Sequence, residues 1–320
     1  MCGTNSPEIA NFGFWELNLP PAIGTPGLPN NVGFQLIGFV KGTTTYLPRV
    51  FKGKLTASNG KVTLSGSQLV GGWLALVRGS RTFKLRVAEV GRAISWAQPA
   101  GGTVVLESYL LDWTEFVGGG GGGDKEFKNV CSNPPSKDSG DLLHMLQFHT
   151  LLFEGDRIDA KPKLDKGIDD TWFNLGCAGS ALAKMALTGH TEASLHAGTF
   201  NTNLKERQAM LKLFAGDYCG DGTPFTVAGQ PLSWADDAAT MALAPVSLKR
   251  EARWYEQGPA CLDDPRIDVN PTPLGVATFA TPPTIYDQVQ AHCPAQLPPP
   301  CGGSPLGTDG LHLISATPTP

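Results

Sequence analysis

The chain has 320 residues, enough to bury a sizeable core, and 17% of them are charged, below the roughly 25% of an average soluble protein. Its formal net charge of −4 is spread without a Lys/Arg stripe, which excludes a nucleic-acid footprint. No apolar run approaches the ~18 residues that span a bilayer, and 39 glycines with 26 prolines put much of the backbone in turns.

Cys2 is followed by the small, polar stretch Gly3-Thr4-Asn5-Ser6-Pro7, the way a bacterial lipoprotein begins once its signal peptide has been removed. The expectation is a lipid on Cys2 as the only membrane attachment; the alternative is an ordinary terminal cysteine. Residues 1–117 read as a β-rich domain of sandwich or barrel type, with short strands separated by glycine-rich turns. Asn59-Gly60 between two apolar-alternating runs predicts a two-residue hairpin loop, with Ala57 facing Val62 and Leu55 facing Leu64. Phe83, Leu85 and Val87 alternate with Thr82, Lys84 and Arg86, the pattern of a half-buried strand. Residues 73–77 and 103–111 are further strands.

Six consecutive glycines, 118–123, open a Gly/Pro-rich linker or loop over 118–140. No Gly-Lys-Ser/Thr follows the run, so it does not read as a phosphate cradle. Residues 141–265 then read as an α+β domain with about three helices, and 266–320 as a Pro-rich, disulfide-tied extension. Residues 144–153 are strand-like. Asn174 is placed as the cap of a first helix running to Leu187, with Leu175, Ala178, Leu182 and Met185 on one face. Asn203 and Glu206 form a capping-box pair for a second helix that buries Leu204, Leu211 and Phe214 and stops at Gly216. Residues 225–234 read as a hairpin around Ala228-Gly229, and 246–257 as a third helix between Pro245 and Gly258. The overall class is therefore α+β, β-rich.

Besides Cys2 there are six cysteines: Cys131, Cys177, Cys219, Cys261, Cys293 and Cys301. None forms a Cys-x-x-Cys pair, and their even number in a charge-poor chain points to bridges in an oxidising compartment. Six cysteines allow 15 pairings, with Cys177–Cys219 the natural first guess because both flank adjacent elements.

Four blocks in order carry a resemblance: Trp172-Phe-Asn-Leu-Gly-Cys-Ala-Gly-Ser-Ala-Leu-Ala-Lys-Met185, Arg207-Gln-Ala-Met-Leu-Lys212, Asp217-Tyr-Cys-Gly220 and Pro224-Phe-Thr-Val-Ala-Gly-Gln-Pro-Leu-Ser-Trp234. Together they resemble the ADYC domain over roughly residues 150–265. Here Gly216 stands where the naming motif has alanine. The resemblance implies a bacterial exported protein, often a lipoprotein, and implies no activity.

The candidate chemistry is thin. If Cys177 sat in the first turn of a helix, its thiol pKa would be lowered, and His144, His149, His190 or His196 would be a base with Asp217 or Asn203 orienting it. That is the cysteine-hydrolase alternative. Asp217 and Asp221 resemble a fragment of a calcium loop without its other ligands, and Asp165, Asp169 and Asp170 form a second acidic group. His144 and His149 fall on opposite faces of a strand, which argues against shared zinc. No cofactor motif is present, and Gly-x-Ser-x-Gly and His-Glu-x-x-His are absent. Some of the seven tryptophans are candidates for a carbohydrate-stacking face. The favoured reading is a non-enzymatic, exported binding module whose partner is a protein, a glycan or another copy of itself. A third reading is a structural subunit of an extracellular assembly built through edge strands.

Overall fold

A computed structural model describes residues 6–96, 103–116, 126–132, 146–196, 198, 202–226, 232–236, 248–263, 265, 289, 291–293, 297–302 and 313–318. The strands of the first part are β1 (Glu8–Ile9), β2 (Phe12–Gly13), β3 (Glu16–Asn18), β4 (Gln35–Lys41), β5 (Thr44–Phe51), β6 (Lys54–Ser58), β7 (Thr63–Ser65), β8 (Trp73–Arg78), β9 (Arg81–Ile94), β10 (Val105–Phe116) and β11 (Lys128–Asn129). Two long strands follow, β12 (His149–Asp159) and β13 (Leu164–Cys177), then helices α1 (Ala181–Thr188), α2 (Glu192–His196) and α3 (Leu204–Ala215). Strands β14 (Ser233–Asp236), β15 (Leu248–Tyr255), β16 (Gly258–Leu262) and β17 (Leu313–Pro318) complete the described elements. The chain is β-rich α+β. Among the described residues, no helix is long and apolar enough to cross a membrane.

One antiparallel sheet of eleven strands dominates, in the order β3-β13-β12-β10-β9-β8-β4-β5-β6-β7, with β11 on β10. It takes strands from both sides of the glycine run. Three hydrogen bonds to side chains hold it in a barrel-like form. Leu55 N in β6 donates to Tyr109 Oη of β10 across the interior, at 2.8 Å. The β5–β6 turn donates from Lys52 N and Gly53 N to the Glu154 carboxylate of β12, at 2.7 and 3.1 Å. The enclosed core holds Phe14, Leu36, Phe39, Leu74, Phe83, Leu85, Leu152, Phe173 and Leu175.

Strands β12 and β13 separate this core from a second one. Leu152, Phe173, Leu175 and Cys177 point into the curled sheet, while Leu151 and Phe153 face the helices with Trp15, Leu182, Met185, Met210 and Phe214. Burial on both faces is why this region reads as an apolar run and not as an alternation. Helix α1 lies so close to β13 that a Cβ on Gly176 would come within 2.6 Å of Ala183 N. A four-stranded sheet, β14-β17-β15-β16, closes the far side of the helical core.

Several expectations hold locally. Asn203 and Glu206 make the reciprocal capping box of α3, and Gly216 ends it at φ 61°. Phe83, Leu85 and Val87 are buried in β9. Others need correction. The Asn59 hairpin has a four-residue loop, with Ala57 opposite Leu64. The Asn59 side chain accepts from Lys61 N and Val62 N, a turn that the side chain itself closes, and Val62 is left exposed. Asn174 caps nothing: it is buried inside β13, where it donates to Asp156 O and accepts from Ile158 N. The cap of α1 is Ser180, whose Oγ accepts from Ala183 N, with left-handed Gly189 at the other end. Leu204 is 38% exposed, whereas Leu211 and Phe214 are buried as expected.

The expected third helix is strand β15, paired with β17 and β16. Both of its faces are covered, so Glu251, Ala252, Arg253 and Trp254 are all buried. The loop at Ala228-Gly229 and His144 lie outside the described residues. So does Cys2.

Candidate functional site

The six cysteines pair as Cys131–Cys177, Cys219–Cys293 and Cys261–Cys301. This corrects the expected Cys177–Cys219 bridge. It also removes the nucleophile: Cys177 ends a strand rather than opening a helix, is fully buried, and has no thiolate to offer. His196 meets β12 at Glu154, four residues from Thr150, the residue opposite Cys177 in the ladder. Four strand residues span about 13 Å, so the two candidates are not one site.

His149 and His190 make contacts within the scaffold. His149 Nδ1 lies 2.9 Å from Ser108 Oγ, and burial lowers its pKa. His190 Nδ1 contacts the hydroxyl and carbonyl oxygens of Thr188 at the end of α1.

The segment Asp217-Tyr218-Cys219-Gly220 is a knot that joins four parts of the chain. Asp217 is buried at the end of α3, where its Oδ2 accepts from Lys212 Nζ at 2.5 Å and Gly222 N at 2.9 Å. Lys212 Nζ also donates to Gly220 O and Pro162 O. Burial raises the Asp217 pKa, and the Lys212 ammonium opposes that rise. Tyr218 donates to Glu251 of β15, and its ring packs on Phe225 and Trp254. Gly222 sits at φ 93°, and a Cβ there would come within 2.4 Å of Lys161 O. Every polar group of the motif that meets a partner thus meets a scaffold partner. Asp221, by contrast, faces His292 at 3.5 Å near the surface.

A second cluster, which sequence reasoning missed, lies between β12, β13, α2 and α3. Arg207, 1% exposed, donates from Nε to Asp156 Oδ1 at 2.9 Å and from Nη1 to Thr202 O at 2.8 Å. Its Nη2 lies 3.0 Å from Glu192 Oε2, an ion-pair contact without hydrogen-bond alignment, and Asp165 Oδ2 is 4.0 Å from Nε. Burial, then the neighbouring Asp165 charge, pushes the Asp156 carboxyl well above the ordinary range. Burial raises Asp165 as well. Beside them Glu154 Oε1 receives His196 Nδ1 at 3.3 Å, and the imidazole stacks on Phe51. The signal was present: Glu154 and Asp156 interrupt an apolar stretch that a buried strand would carry. Asp165 belongs to this cluster, whereas Asp169 closes a turn onto Thr171 and Asp170 lines an outer cleft. The three do not converge.

The outer face of β8, β9 and β10 carries a different chemistry. Lys84 Nζ lies 5.0 Å from the ring centres of both Trp73 and Phe116. The guanidinium of Arg86 lies 3.9 Å from the Phe127 ring and pairs with Asp112 at 3.0 Å. Trp73 and Phe127 are half-buried and Phe116 is 44% exposed. A row of aromatic rings interleaved with cations suits stacking partners that carry negative charge.

No curated protein and no solved structure matches the chain. The ADYC domain family matches residues 66–268, more than half of the chain, running from the large sheet through the helices to the β15–β16 pair. Three disulfides fit an extracytoplasmic protein. With the motif knot, the helical core and the matched span in agreement, this chain belongs to the ADYC domain family.

Proposed function

We propose that this chain is an exported binding module, held at the bacterial envelope by a lipid on Cys2, and not a cysteine hydrolase. The observation that carries the reading is that all six cysteines beyond Cys2 are engaged in bridges, which leaves Cys177 without a reactive thiol. The surface that suits binding is the row of Trp73, Lys84, Phe116, Arg86 and Phe127, and its chemistry favours an acidic glycan.

The export half is tested by an intact-mass measurement, without reductant, on protein from its native host. The expected mass lacks six hydrogens and carries fatty-acyl additions on the Cys2 peptide. Six free thiols and an unmodified Cys2 would overturn it. The binding half is tested by titrating acidic and neutral oligosaccharides into the purified chain. Trp73→Ala is expected to weaken acidic-glycan binding by about tenfold while the variant still unfolds in one cooperative transition. Equal binding by the variant would remove this face from the account.

A further inference from the structure

Among the described residues one group places donor atoms close enough to share an ion. Cys219 Sγ, an Asp221 carboxylate oxygen and a His292 ring nitrogen all lie within 4.8 Å of one another. Cys293, next to His292 in the chain, is bonded to Cys219, so a second sulfur lies one bond from this group. Two sulfurs, one imidazole and one carboxylate are a tetrahedral zinc set. In the oxidised chain the sulfurs are spent on each other, and a disulfide sulfur is a poor ligand.

We infer that the Cys219–Cys293 bridge is the closed form of a zinc site. A dithiol reductant opens it by exchange: the S–S bond breaks, each sulfur takes one electron and one proton, and the reductant leaves as its own disulfide. Zinc then displaces the two thiol protons and binds both thiolates. The movement needed is small. Tetrahedral zinc holds two thiolates about 3.7 Å apart, given Zn–S bonds of ~2.3 Å.

Among the described residues, this is the bridge whose sulfur has a histidine nitrogen and a carboxylate oxygen within 4.8 Å. Cys293 is buried, but Cys219 is half-buried and Asp221 and His292 are exposed, so reductant and metal reach the group from that side. Cys131 and Cys177 are fully buried. His292 Nε2 already faces Asp221 Oδ2 at 3.5 Å and contacts Thr223 Oγ1 at 3.0 Å. Metal binding replaces the Thr223 contact, and Asp221 Oδ1 keeps its bond from Thr223 N. The cysteine of the family motif then has two states, a staple when oxidised and a metal ligand when reduced.

The test uses the full chain and cobalt as the probe. A mild dithiol reductant is applied until mass mapping shows Cys219–Cys293 open and both Cys131–Cys177 and Cys261–Cys301 intact. The expected result is one cobalt per reduced chain, with thiolate-to-cobalt charge-transfer absorption that zinc abolishes, and no such band in the oxidised chain. His292→Ala and Asp221→Ala alter exposed side chains and leave the bridge in place. Each is expected to weaken cobalt binding by about tenfold or more. Undiminished binding in both variants, no binding by the reduced chain, or unfolding before this bridge opens would each overturn the inference.

Discussion

Arg207→Met is expected to destabilise the fold by about 3–5 kcal/mol at neutral pH, the range for a buried charge cluster that loses one sign. The guanidinium is the positive group buried among Asp156, Asp165 and Glu192, and methionine keeps much of its volume without its charge. The loss depends on pH in a definite direction. Asp156 and Asp165 have folded-state pKa values raised above the ordinary 3.8. Groups of that kind stabilise the fold fully below the unfolded value, and their contribution is lost as pH rises through the folded value. In the variant, which lacks the compensating cation, the deficit is therefore largest at neutral pH and shrinks as pH falls toward 3.8. Urea unfolding of both proteins across that range reads the effect. A deficit independent of pH would mean that the variant fails through packing alone.

Glu16→Gln should do the opposite. Glu16 is 1% exposed on β3, and burial, aided by the Asp159 charge, raises its pKa from 4.5 to about 7. One of its carboxylate oxygens, Oε1, is buried without a hydrogen-bond partner. The sign follows from the raised value: Glu16 supports the fold below pH 4.5 and loses that support as pH rises through about 7. A shift of this size corresponds to about 3 kcal/mol between the two ends of the window. Glutamine is neutral at every pH and fits the same space. The variant is expected to be more stable than the parent by about 2–3 kcal/mol near pH 8 and nearly equal to it near pH 4. The check is the difference between their unfolding free energies at those two conditions. A constant difference across pH would move the buried proton to another group.

Together the two substitutions separate carboxylates that pair with a buried cation from one that burial makes harder to ionise. Neither site was fully legible in the sequence. Glu154 and Asp156 stand out as charges in an apolar stretch, yet nothing local says that Arg207, about fifty residues later, reaches Asp156. Glu16 gave no signal, because its burial comes from β13 pairing alongside β3, with Asn174 opposite Glu16 across more than 150 residues. The motif knot was more readable. Gly216 as a helix stop, Asp217 as an acceptor of backbone N–H and a structural role for Cys219 all follow from local chemistry. The partners of Tyr218 and Cys219 do not, since Glu251 and Cys293 are brought in by distant segments.

The errors share one cause. Residues 248–255 carry apolar positions that fit a short helix as well as a strand, and the choice fell to pairing with residues 313–318. Asn174 is a good cap in isolation, but its segment lies between β12 and β3, and the ladder outweighs the cap. The Asn59 loop failed more narrowly: the side chain closes a longer turn than the backbone preference of Asn-Gly implies.

By itself the sequence determined what depends on composition and on neighbours along the chain. It yielded a β-rich class, alternating strands, the α3 capping box and Gly216 stop, an even set of cysteines destined for bridges, and the ADYC family. Only the tertiary structure decided which cysteine meets which, that β12 and β13 divide two cores, that β15 is a strand, and where the buried charges find their partners. The division has a physical reason. Turn, cap and alternation are set within a few residues, whereas pairing and burial are set by segments whose contacts must be closed over tens to hundreds of residues.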